Sequence, residues 1–100
     1  MPTLTIVYWR DIPSQVIAKA GRRDQAKVML DDRFQQAIDR AAMRGGSADT
    51  DAYLAEWRRS DPTECGTDLE AEAQAAAATL EAEYNADRLK ALVANGGSEP

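Results

Sequence analysis

The chain has 100 residues, a formal net charge of −5 and 44% hydrophobic residues. That length holds one small core, with no room for a second independent one. It contains no histidine and one cysteine, which excludes Ser-His-Asp and Cys-His triads, His-ligated metals, an internal disulfide and a CxxC site.

Residues 3–10 open the chain with β-branched and aromatic types that favour a strand. Leu4, Ile6 and Tyr8 fall on one face, and Thr5, Val7 and Trp9 on the other. Both faces are substantially apolar, which predicts a central strand or one covered on both sides. Asp11-Ile12-Pro13-Ser14 should break it, because Pro13 lacks a ladder donor and biases Ile12 toward extended geometry. Residues 15–20 and 25–30 alternate as a hairpin around Gly21-Arg22-Arg23-Asp24. A short amphipathic helix over 15–20 is the competing reading.

Asp31-Asp32 supplies an N-cap and negative charge for a first turn. Phe34, Ala37, Ile38, Ala41 and Ala42 follow as a helical stripe. Arg44 suits the last turn, and Gly45-Gly46 should stop the helix. A second, shorter helix is expected over 51–59, capped by Asp49 or Thr50, with Tyr53, Leu54 and Trp57 as its apolar edge. Ser60-Asp61-Pro62 ends it, and residues 63–67 form a loop.

Thr67 with Glu70 makes a capping-box pattern. A long helix is predicted from Asp68 to about Asn95, stopped by Gly96-Gly97. Its stripe is Leu69, Ala73, Ala76, Leu80 and Tyr84, while Leu89, Leu92 and Val93 lie off it. The helix therefore breaks near Asn85 or offers its last turns to a different partner. Of the chain's 19 alanines, Ala75–Ala78 are consecutive, giving high helicity and little buried area.

Strands first and helices after predict an α+β fold. It consists of a small antiparallel three-stranded sheet, two short helices and a long Ala-rich C-terminal helix. Residues 1–62 form the hairpin and helical part, and residues 63–100 the loop and long helix packed on the same domain. Charge divides near that boundary. Residues 1–59 hold 10 Lys/Arg and 8 Asp/Glu, whereas residues 60–100 hold 2 and 9. No apolar run reaches membrane-spanning length and no signal peptide opens the chain, so the expected location is the cytoplasm, which also suits the lone Cys65.

The words Tyr-Trp-Arg-Asp-Ile-Pro at 8–13 and Tyr-Leu-Ala-Glu-Trp-Arg at 53–58 resemble a small bacterial domain family known as "virulence factor". Lys19–Arg23 and Phe34–Arg44 add to the resemblance, which spans about residues 3–93. Similar domains occur alone, and at the end of longer proteins with an iron–sulfur-scaffold-like region and helical repeats. Genes for the standalone form of similar domains often sit near those of one-carbon (folate and corrinoid methyl-transfer) metabolism. The resemblance implies a link to one-carbon metabolism and transfers no catalytic residues.

The basic residues Arg10, Lys19, Arg22, Arg23 and Lys27 are the first candidate site. They could meet a phosphate, a carboxylate-rich cofactor or an acidic protein surface, with Trp9 stacking on a planar ligand. The plainer reading is a solvated hairpin tip, with Arg10 paired to the acidic C-terminal helix. No recognised motif frames these residues for nucleic acid. Trp9 and Trp57, with Tyr8 and Tyr53, are either core or an exposed patch for a partner. Asp31, Asp32 and the glutamates of the long helix read as caps and a solvated face, so no metal or cofactor is expected. Cys65 stands before a helix start, which can lower a thiol pKa, but it has no general base beside it. The expectation is a non-enzymatic accessory domain with a protein partner. The alternative is a small-ligand or anion-binding module that uses the basic hairpin.

Overall fold

The computed structural model describes residues 2–44 and 50–98. The fold is α+β. Strands β1 (Thr3–Trp9), β2 (Ile12–Ala20), β3 (Asp24–Met29), β4 (Trp57–Arg59) and β5 (Thr63–Glu64) make one antiparallel sheet. Its order is β3-β2-β1-β4, with β5 also on β1. Helices α1 (Asp32–Arg44), α2 (Thr50–Ala55), α3 (Leu69–Glu83) and α4 (Ala86–Ala94) complete it. The expected stop at Gly45-Gly46 and cap at Asp49 lie outside the described residues.

The sheet has five strands, not the expected three, and the extra two come from residues read as helix and loop. Trp57–Arg59 were assigned to a helix by local pattern, but α2 ends at Ala55. Pairing with the open edge of β1 overrides the helical pattern: Val7, Tyr8 and Trp9 oppose Arg59, Arg58 and Trp57. Ser60 bridges to β5, its N–H donating to the Ile6 carbonyl at 2.8 Å and its hydroxyl oxygen accepting from the Ile6 N–H at 2.9 Å.

Residues 11–14 do not break the sheet. The chain turns at Arg10-Asp11, and β2 starts at Ile12. Arg10 takes φ 53, the left-handed geometry that a two-residue hairpin turn requires. Pro13 is tolerated because the register shifts beside it: Val7 opposes Gln15, and Tyr8 opposes Pro13. Ser14 is the extra residue of this bulge, and its carbonyl accepts from Leu30 N–H at 3.1 Å. The β2–β3 hairpin forms as expected, turning at Gly21 with φ 71.

The long helix divides at Tyr84-Asn85. Arg33 closes α3, its guanidinium donating to the carbonyls of Glu81 at 2.6 Å and Tyr84 at 2.7 Å. Asn85 then caps α4, its side-chain oxygen accepting from Arg88 N–H at 2.9 Å. At the start of α3 the cap is Asp68, which accepts from Ala71 N–H. The expected Thr67–Glu70 box is displaced by one residue, and Glu70 instead accepts from Gln74. At the end of α4, Gly96 N–H donates to Val93 and Gly97 N–H to Leu92, the two bonds of a Schellman motif.

One face of the sheet is covered. Leu4 and Ile6 oppose Ala18 and Val16, which oppose Ala26 and Val28. α3 packs on β2 and β3, and α1 packs on β2 and on α4. Phe34, Ile38, Val16, Leu80 and Leu92 share one buried cluster, with Leu4 and Ile6 packed against it. Ala73 and Ala77 are buried, so α3 approaches the sheet closely through small side chains. Leu89 and Leu92 do not await a partner, because α1 buries them.

Candidate functional site

Strand alternation puts Thr5, Val7, Ile17, Gln15 and Met29 on the opposite face of the sheet. Among the described residues no helix covers its middle: Met29 is 61% exposed and Ile17 is half-buried. β1 is a central strand, one of the two expected alternatives, and on this face its Trp9 end is buried while its Thr5 end is only half-buried. Val7 alone among these residues is buried.

Charge on this face is one-sided. Lys19 lies opposite Gln25, Lys27 opposite Ile17 and Arg59 opposite Val7. All three are exposed and form no ion pair among the described residues. Glu64, opposite Thr3, sits at the edge of the face. Arg22 and Arg23 are exposed at the adjoining hairpin tip. Lys19, Arg22, Arg23 and Lys27 thus form one continuous cationic end.

At the other end is a pocket of about 420 Å³ lined by Val7, Ser14, Gln15, Met29, Gln35, Trp57, Arg58 and Arg59. Trp57 is half-buried there. From the level of Lys19 to that of Trp57 the face runs roughly 20 Å, six residue steps of strand. Apolar side chains with a few convergent polar groups and cations suit a partner that is acidic at one end and apolar at the other.

Arg10 and Trp9 do not join this surface. Trp9 is fully buried. Its ring stacks on Tyr53 with centroids 5.8 Å apart, and its indole N–H donates to the Tyr53 carbonyl at 2.9 Å. No ligand can stack on it. Arg10 lies at the far end of β1 from the hairpin tip. It donates to the Gly96 carbonyl at 2.7 Å and pairs with Glu56 at 3.4 Å. Among the described residues this ion pair is with Glu56 on the segment after α2, not with a carboxylate of α3 or α4. Arg58 is tied in the same way, to Asp11 at 3.1 Å and over the Tyr8 ring at 4.6 Å. Burial pushes the Tyr8 phenol above its ordinary pKa, against the opposing pull of Arg58, so it stays protonated.

Cys65 is not activated. Partial burial, and then the Glu72 carboxylate, push its thiol pKa up. Among the described residues no group of three or more His, Cys, Asp or Glu side chains could hold a metal, and no helix is long and apolar enough to cross a membrane.

Sequence reasoning missed Arg59 because residues 57–59 were read as helix. Met29, Gln15 and Ile17 were legible in the alternation of the hairpin, but nothing in the pattern said which face would stay uncovered. No curated protein and no solved structure matches the chain. The virulence factor family model matches residues 7–93, a span that includes β4, α3, all but the last residue of α4 and most of the uncovered face, and the chain belongs to that family.

Proposed function

We propose that this chain is a non-enzymatic accessory domain of the cytoplasm that binds a protein partner through the uncovered face of its sheet. The observation that carries the reading is the face itself: Met29 exposed and Ile17 half-buried, flanked by Lys19, Lys27 and Arg59 with no ion-pair partner among the described residues. Its partner presents carboxylates around an apolar patch. The family resemblance supports a partner among folate- and corrinoid-dependent methyl-transfer enzymes.

A photo-crosslinking residue placed at Met29 tests this against purified enzymes of that class. The control position is Leu54 on α2, which is 58% exposed and off the face. Crosslinks from position 29 that fade with added salt, and none from position 54, are the expected result. Equal yields from both positions would overturn it. A second reading, a small anion in the 420 Å³ pocket beside Trp57 and Arg59, predicts instead a small bound mass in native mass spectrometry.

A further inference from the structure

A second groove lies on the other side of the molecule, between α1 and α4. Two helical stripes face each other there: Arg33, Gln36, Ala37 and Arg40 on α1, and Ala86, Leu89, Lys90 and Val93 on α4. Both are spaced i, i+3, i+4, i+7, so each is one side of its helix. Ala37 and Ala86 are too small to fill the space between them, which leaves a groove of about 330 Å³. That is at the small end of the usual range for ligand pockets, about 300–1,000 Å³.

The lining is chemically divided. Ala37, Leu89 and Val93 make an apolar floor, with Ala37 and Leu89 each 5% exposed. The rim carries three cations and no carboxylate, in a chain with 17 acidic and 12 basic residues. Arg33 is committed, closing α3 and pairing with Asp31 at 3.5 Å. The side chains of Arg40 and Lys90 make no hydrogen bond or ion pair among the described residues. They stand on opposite helices, one on each lip.

We infer that this groove binds a small amphiphilic anion, its apolar body on Leu89 and Val93 and its carboxylate or phosphate between Arg40 and Lys90. A bare inorganic anion would leave the floor wet, and a neutral apolar molecule would leave the two cations without a counter-charge. Only a ligand with both parts answers both features.

The test uses the whole chain and four probes: octanoate, octyl phosphate, octanol and inorganic phosphate, each below any micelle concentration. Backbone amide spectra locate the binding. The expected result is that octanoate or octyl phosphate shifts the amides of residues 36–40 and 86–93. Octanol and inorganic phosphate should bind at least about tenfold more weakly. The better of the two octyl compounds identifies the head group. Arg40→Gln with Lys90→Gln should weaken that binding by about tenfold or more, while thermal melts show the fold intact, because both side chains are exposed. Ala37→Leu, which fills the groove, should abolish it. Shifts centred on Val7, Gln15 and Met29 would overturn the inference. So would unchanged affinity in the Arg40/Lys90 variant, or inorganic phosphate binding as well as octanoate.

Discussion

Trp9 and Gly97 show how few atoms close this small molecule. The Trp9 ring is buried under Tyr53, under the Arg10 guanidinium at 5.0 Å from its centroid, and under the backbone of Gly97. A Cβ on Gly97 would stand 2.7 Å from Cζ3 of Trp9, and the residue holds φ +99. Both the space and the backbone exclude a side chain. Gly96 has φ 72 and is the left-handed residue of the helix cap, its carbonyl accepting from Arg10. Gly96→Ala should therefore cost about 1 kcal/mol. Gly97→Ala should cost roughly 1–3 kcal/mol more, since it also displaces Trp9 or releases the chain end. Thermal melts of both, read by tryptophan emission, separate the two effects. Equal melting temperatures would mean that the Trp9 contact contributes nothing to stability. Arg10 belongs to the same closure. The sequence suggested a cation for a ligand, and the structure spends it on Gly96 and Glu56.

At the scale of elements, α4 carries the largest revision. Read by phase alone, Leu89, Leu92 and Val93 pointed away from the stripe of the preceding helix, so they looked like an end awaiting a partner. Breaking the helix at Asn85 re-aims them, and α1 receives them: Leu92 is fully buried. Capped at both ends, α4 should open only with the core. Amide hydrogens of residues 89–93 should then exchange as slowly as those of Ile38 and Ala41 in α1. Exchange at near-unprotected rates would mean that α4 detaches on its own.

The break itself was half legible. The phase change gave its place, but the Arg33 contacts that end α3 join residues about fifty apart in sequence, and no local pattern carries them. The helix of Phe34, Ile38 and Ala41, the β2–β3 hairpin and the stripe of α3 were readable, because each is written at a fixed period of 3.6 or 2 residues. β4 was not readable. Trp57–Arg59 extend only because β1 offers an unpaired edge, a fact of topology rather than of local sequence.

The whole molecule is electrically polar. The hairpin tip and the uncovered face carry Lys19, Arg22, Arg23, Lys27 and Arg59, while α3 carries four glutamates and no cation. In a chain of net charge −5, an approaching acidic partner is turned toward that one cationic end before contact. Arg22→Glu with Arg23→Glu reverses the end while touching only exposed positions at a loop tip. Folding should stay within about 0.5 kcal/mol per substitution. Association with the partner crosslinked at Met29 should slow, most strongly at low ionic strength, where the wild-type rate is highest. Dissociation should change less, because the apolar contacts at Met29, Ile17 and Trp57 are untouched. Stopped-flow association at low and high salt, with melts of both proteins, reads the two effects apart. A variant that melts normally and associates at the wild-type rate, with the same salt dependence, would remove the hairpin tip from the surface. Binding would then have to rest on the Val7, Trp57 and Arg59 end alone.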